Sequence, residues 1–177
     1  MNKLLFFSFD CIGYDQYYEK ILPEIEAIVE KNASDSDSDG YIIIALNEAV
    51  CNAAKYALDG AENVEIHIDI TVNEDDIRLN IKAATEHWNA EEYRNQLKKL
   101  SDDEYWGDKD WGDYTNNSNK SRGIWLMLTG CEYMYFSSYG QDVTLFFSTH
   151  TKTKKVTYNI RDLVHRFFIQ NEDGVIY

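Results

Sequence analysis

The amino-acid sequence predicts an α+β fold, and three observations carry that reading. Residues 64–72 and 77–83 alternate apolar and polar side chains, the period of a strand with one face buried. Residues 14–31 and 41–58 instead carry apolar side chains at steps of three and four, the period that lines one side of a helix. A second alternating pair, 132–138 and 142–149, brackets Tyr139-Gly140 and reads as a closing hairpin. At 177 residues, with one Pro and nine Gly, the chain has the length of one domain with a sizeable core and lacks the composition of a linker-rich one.

In chain order, Leu4-Leu5-Phe6-Phe7 opens a first strand: the apolar run is too short for a signal-peptide core and passes into Ser8, Phe9 and Asp10. Tyr18, Ile21, Leu22, Ile25, Ile28 and Val29 then recur at helical spacing, predicting a core-facing helix with Pro23 near its start or kinking it. Residues 32–40, with their Asp-Ser repeats and no apolar content, read as a solvated loop. In 41–58, Ile43, Leu46, Val50, Ala53 and Ala57 form the buried stripe, and Asp59-Gly60 is a natural stop.

The alternation at 64–72 turns Val64, Ile66, Ile68, Ile70 and Val72 inward and leaves His67 on the solvent face. After the turn Asn73-Glu74-Asp75-Asp76, residues Ile77, Leu79, Ile81 and Ala83 continue the buried face opposite Arg78, Asn80 and Lys82. Tyr93, Leu97 and Leu100 mark a short helix over 90–100. Residues 101–120 are polar and unpatterned around a near-repeat, Trp106-Gly107-Asp108 and Trp111-Gly112-Asp113. A loop of that length is usually functional; its two Trp cap a ligand, bind a partner or anchor the loop. Ser121 stands as the cap of a helix beginning at Arg122 and Gly123. In the closing hairpin Val143, Leu145 and Phe147 share one face and Phe146 takes the other. Beyond a small basic island, Lys152 to Lys155, Asn159 and Asp162 cap an amphipathic helix carrying Ile160, Leu163, Val164, Phe167 and Phe168. That helix docks on its own domain in the simplest reading; pairing two copies as a homodimer or holding a client are the alternatives.

Charge narrows the partners. Seventeen Lys plus Arg against 31 Asp plus Glu leave a net −14, which repels nucleic-acid phosphates and anionic membranes, so basic or neutral proteins are the expected partners. No apolar run of about 18 residues exists, so no transmembrane helix is expected. Cys11, Cys51 and Cys131 are odd in number and widely spaced, as reduced thiols of a cytoplasmic protein are. Cys51, beside Asn52, reads as a small buried residue rather than a reactive thiol.

One stretch can be read as chemistry. Glu48, Asn52 and Lys55 fall together on a face of the 41–58 helix next to its buried stripe. Oxygen ligands suit a hydrated Mg²⁺ and an ammonium suits phosphate, so this trio can grip a metal and an anion. The same spacing also describes a half-exposed helix with a polar stripe.

The segment Asn47-Glu48-Ala49-Val50-Cys51-Asn52-Ala53-Ala54-Lys55-Tyr56-Ala57 resembles the N-box of the GHKL (Bergerat-fold) ATPases, in the version of the bacterial anti-sigma factor serine kinases. Tyr56 stands where that family often has His. The resemblance implies a histidine-kinase-like ATPase fold over residues 1–150: a two-layer α/β sandwich with a mixed, largely antiparallel sheet, helices on one face and an ATP lid at about 101–120. Residues 151–177 then form an extension whose amphipathic helix packs on the same domain. It also implies ATP and Mg²⁺ as cofactors, with Asn52 as the metal ligand, Glu48 as general base towards a target serine, and Lys55, Arg122 and Gly123 attending the phosphates.

Ser121-Arg122-Gly123-Ile124-Trp125-Leu126-Met127 resembles the end of the family's G2 box, although only Gly123 matches its glycines, and Asn119 and Ser121 replace others. Arg122 matches a residue common at this place in the anti-sigma kinases. The G1 box is degenerate: Ala83 takes the place of the adenine-binding Asp, Thr85 and His87 those of two glycines, and Trp88 that of the next apolar residue. Losing a charge-assisted hydrogen bond of roughly 1.5–3 kcal/mol weakens a nucleotide site by about one to two orders of magnitude. The expected function is therefore a regulatory serine/threonine kinase acting on a sigma factor or anti-sigma antagonist. The alternatives are a non-catalytic binding module on the same fold and an unrelated α/β domain with a chance N-box.

Overall fold

A computed structural model describes residues 4–33, 36–110, 112–113, 122–150 and 159–177. Trp111, residues 114–120 of the expected lid, the cap at Ser121 and the basic island Lys152 to Lys155 lie outside the described residues. The strands are β1 (Leu5–Ile12), β2 (Glu65–Val72), β3 (Asp76–Ala83), β4 (Tyr133–Ser137), β5 (Asp142–Ser148) and β6 (Phe167–Gln170). The helices are α1 (Gly13–Gln16), α2 (Leu22–Asn32), α3 (Ser36–Lys55), α4 (Ala90–Asp102), α5 (Arg122–Gly130) and α6 (Ile160–Val164). The strands form one mixed sheet in the order β1-β2-β3-β5-β4-β6, antiparallel throughout except for the parallel β4–β6 pair.

The alternation read from the sequence sets the layers. Ile66, Ile68 and Ile70 of β2, Ile77, Leu79 and Ile81 of β3, and Val143, Leu145 and Phe147 of β5 point to one face and join a single core with the helices. The fold is thus α+β, a two-layer α/β sandwich. On the other face of β5, Thr144 and Phe146 are also buried. Tyr133 stacks on Phe146 at 4.2 Å between ring centroids, and the Arg78 guanidinium lies 4.5 Å from the Phe146 ring centre. Aromatic and cation–π cover replaces a second helical layer there. On the same outer face His67 sits between Asp10 (Nδ1 to Oδ1, 2.7 Å) and Asp69 (Nε2 to Oδ1, 3.0 Å), tying β1 to β2.

Three segments depart from the sequence reading. First, the helix expected over 14–31 contains a π-helical turn at Tyr17–Ile21, where the Leu22 amide reaches the Tyr17 carbonyl five residues back. The extra residue rotates the stripe, so Tyr17 is fully buried with Leu22, whereas Tyr18, placed inward by an unbroken α-helical period, is exposed. Pro23, at the start of α2, has no amide to give to an α-helical bond across this turn.

Second, α3 begins at Ser36, inside the segment expected to be loop. Acidic residues near a helix start offset its macrodipole, so an Asp- and Ser-rich run initiates a helix as readily as it makes a turn. Third, the final helix stops at Val164, and Phe167 and Phe168 belong to strand β6. Arg166 closes the turn between them, its guanidinium donating to the carbonyls of Leu128 and Cys131. Phe167 and Ile169 are buried while Phe168 is less so, a period of two that suits an aromatic-rich strand. The C-terminal segment adds a strand to the sheet in addition to the short helix.

Candidate functional site

Two helices set the site. Gly123 near the start of α5 lies against Glu48 and Asn52 of α3, and Gly130 at its end lies against Tyr41 and Ala45, so the two helices run antiparallel. A Cβ on Gly123 would fall 2.9 Å from Glu48 Oε2 and 3.1 Å from Asn52 Nδ2. One on Gly130 would fall 3.0 Å from the Tyr41 carbonyl oxygen. Glycine at both contacts is what lets the backbones approach this closely. The first-turn amides of α5, which have no partner within the helix, therefore start beside a carboxylate and a carboxamide. Glu48 and Asn52 are half-buried and one turn apart on α3.

The remaining expected residues spread around this contact. Ala83 ends β3 on the core side, half-buried, its amide donating to the Gln141 carbonyl at 3.1 Å. The chain after it is stitched to the end of α3: Leu58 donates to the Ala84 carbonyl at 3.2 Å, Glu86 to the Tyr56 carbonyl at 2.8 Å, and Ala57 bridges to Thr85. The exit of β3 thus lies at the C-terminal end of the N-box-like helix. Lys55 is exposed and its ammonium sits 5.1 Å from the ring centre of Tyr56, and Arg122 is exposed at the start of α5. Glu48, Asn52 and Gly123 come together; Lys55 and Arg122 stand at the surface beyond them.

Where the family has its G1 glycines, this chain has packed side chains. Thr85 is buried and its carbonyl accepts from the Gln141 side chain at 2.9 Å. His87 stacks on Tyr139, and Trp88 packs edge-on against Phe136 at 5.0 Å and against Tyr93 at 5.3 Å. Gly140, at φ +72°, makes room for Trp88, whose ring carbon Cε3 would lie 2.8 Å from a Cβ there. A hollow of ≈ 910 Å³ opens at this end of the sheet, lined by Asp10, Glu65, His67, Lys82, Ala83 and Asp142 among others. Glu48, Asn52 and Gly123 do not line it.

Behind Glu48 stand two tyrosines that helical periodicity had passed over. Tyr17 donates to Asn47 Oδ1 at 2.6 Å, and burial drives its hydroxyl well above the ordinary tyrosine range. Tyr14 is pushed up to about 12, first by burial and then by its hydrogen bond with Cys51. Both stay neutral and act only as hydrogen-bonding buttresses. The spacing of Tyr17 and Leu22 is the only trace of them in the sequence, and it is legible once a five-residue turn is allowed. Cys51, expected to be buried, is exposed, whereas Cys11 and Cys131 are buried, and none of the three forms a disulfide.

Among the described residues no group of three or more His, Cys, Asp or Glu could hold a metal ion. A divalent cation at this place would rest on Asn52 and Glu48 together with phosphate oxygens and water, the habit of Mg²⁺ rather than of a caged metal. The carboxylate and carboxamide oxygens are of the kind that suits Mg²⁺, but Gly123 packs directly on both, so a phosphate group would enter there only by moving α5 away from α3. Ala83 offers no side-chain acceptor for an adenine amino group, so the base half does not fit in the family's manner. Neither comparison with known protein families nor comparison with curated proteins finds a match. No helix among the described residues is long and apolar enough to cross a membrane.

Proposed function

We propose that this chain is a regulatory protein of the GHKL kind, resembling an anti-sigma factor serine/threonine kinase, that binds Mg-ATP weakly between α3 and α5 and controls a partner protein. The observation that carries the reading is the contact of Gly123 with Glu48 and Asn52, which joins two motifs far apart in the chain. In this reading Asn52 holds Mg²⁺ through its carboxamide oxygen, and the first amides of α5 face the phosphates. Arg122, free to turn at the surface, neutralises charge on them. Glu48 accepts the proton of the target serine hydroxyl, a step that needs the hydroxyl within hydrogen-bond reach of its carboxylate. Mg-ATP supplies the transferable phosphoryl group. Phosphoryl transfer depends mainly on positioning and charge stabilisation, so a small donor set suffices once the nucleotide is held.

A second reading, a non-catalytic binding module that has lost normal ATP binding, is favoured by one observation: after β3, the buried Thr85 and the His87 stacked on Tyr139 stand in place of glycines. A thermal-shift titration separates the two. The kinase reading expects Mg-ATP to raise the melting temperature in a Mg²⁺-dependent way, with the shift abolished in Asn52→Ala. No shift at any nucleotide concentration up to several millimolar overturns it and leaves the module. Cytoplasmic location and a sigma-factor or antagonist partner belong to the same proposal and stand or fall with co-purification of such a partner.

A further inference from the structure

The two edges of the sheet are treated differently. At the β6 edge the C-terminal tail folds back: Ile169 and Tyr177 exchange both backbone hydrogen bonds at 3.0 Å, and Gln170 bridges to Ile176. Among the described residues the β1 edge has no such cover. Gly13 donates to the Val64 carbonyl and β1 pairs with β2 in the same register, so the odd-numbered residues of β1 bond inward to β2. The even-numbered ones, Phe6, Ser8 and Asp10, aim their N–H and C=O outward, and among the described residues nothing bonds them. Only the last outward amide, Ile12, is capped, by the Gln16 side chain at 2.6 Å.

Of the usual protections the described edge carries only one charge, Asp10, and the Gln16 cap on Ile12. Strand β1 is eight residues long with no Pro, Lys or Arg, and Leu4 just before it, Phe6 and Ile12 are exposed by 67%, 64% and 58%. Its pattern is also close to a palindrome about Ser8: Leu4 mirrors Ile12, Phe7 mirrors Phe9, and Leu5 mirrors Cys11.

We propose that β1 docks on β1 of a second copy of this chain, the two strands running antiparallel about a two-fold axis at Ser8 to make one continuous sheet. A two-fold contact must be self-complementary, and the palindrome supplies that. It sets Leu4 against Ile12 on the outer face and Phe7 against Phe9 on the inner face. Asp10, already paired with His67, meets Phe6 of the second copy rather than another carboxylate, which matters in a chain of net charge −14. Rungs form at Phe6, Ser8 and Asp10, and the capped amide of Ile12 ends the ladder.

The test is sedimentation velocity of the full chain over about 1 to 100 µM, a range that brackets edge-mediated association. The wild type is expected to shift from monomer to dimer. Ser8→Pro removes the central outward donor and keeps the backbone bonds to β2, but it also loses the bond from the Ser8 hydroxyl to Asp69 at 2.8 Å. Relative to Ser8→Ala, which loses only that side-chain bond, it weakens the dimer on the order of tenfold or more. Leu4→Lys and Ile12→Glu each weaken it alone, by setting a charge against an apolar side chain. Combined in one chain they restore it, because Lys and Glu then face each other across the axis. Both positions are exposed, so circular dichroism and the melting temperature should not change. A wild type that stays monomeric throughout overturns the proposal. So does a dimer unaffected by Ser8→Pro, or a double variant no tighter than its weaker parent.

Discussion

The α3–α5 contact and the exit of β3 are neighbours with opposite construction. The first is made of small and polar residues, Gly123, Glu48 and Asn52, meeting with no large apolar side chain between them. The second is made of aromatic packing, Trp88 between Phe136 and Tyr93 with His87 on Tyr139. The polar side chains of the first kind of contact can be changed with little effect on folding, although its glycine cannot, whereas a contact of the second kind is part of the core. In the proposed function the first holds phosphate and metal, and the second has given up the base.

The largest effect should come from cutting the aromatic side. Trp88→Ala is expected to destabilise the fold by about 3 kcal/mol in urea unfolding, the lower range for deleting a packed aromatic since Trp88 is only half-buried. Glu48→Gln, by contrast, should stay within about 0.5 kcal/mol of wild type. If the two lose comparable stability, the contrast is wrong. Gly123→Val comes next. Its Cβ would press on Glu48 and Asn52, so a loss of roughly 1–3 kcal/mol is expected, together with any nucleotide-dependent thermal shift.

Tyr17→Phe removes the donor to Asn47 at the back of the polar side and should lower stability by about 1 kcal/mol while leaving the far-ultraviolet spectrum unchanged. The smallest effect belongs to the outer face. The hydrogen bond with Asp10 raises the His67 pKa above its ordinary value, burial opposes this, and Asp69 adds to the rise. A raised folded-state pKa means that the contribution is fully present below the unfolded value of about 6.5 and is lost as pH climbs through the folded one. Titration of the His67 ring protons by NMR should show this rise, and Asp10→Asn should reverse most of it.

How far the sequence was legible follows the same physical divide. The β2–β3 hairpin could be read directly, because strict alternation around Asn73 to Asp76 has few competing explanations. The shared face of Glu48 and Asn52 was equally readable, as both sit one turn apart on a helix with a clear stripe. The π-helical turn was not, since Tyr18, Ile21, Leu22 and Ile25 also satisfy an unbroken α-helical period, and only the burial of Tyr17 betrays the inserted residue. Strand β6 was hidden for a related reason: Phe167 and Phe168 extend a helical pattern on paper, and the turn that stops the helix depends on carbonyls of Leu128 and Cys131 far earlier in the chain. The exposure of Cys51 was legible after all: one residue on from the buried Val50, it stands off the stripe that α3 turns to the core.

The central claim, a phosphate grip kept beside a base site given up, is tested most directly by comparing nucleotides in one calorimetric series with Mg²⁺ present. The expected result is that Mg-ATP and Mg-GTP bind with affinities within about threefold of each other, and that adenosine alone gives no binding heat. A preference for ATP over GTP of about a hundredfold or more, or binding of free adenosine, would contradict it.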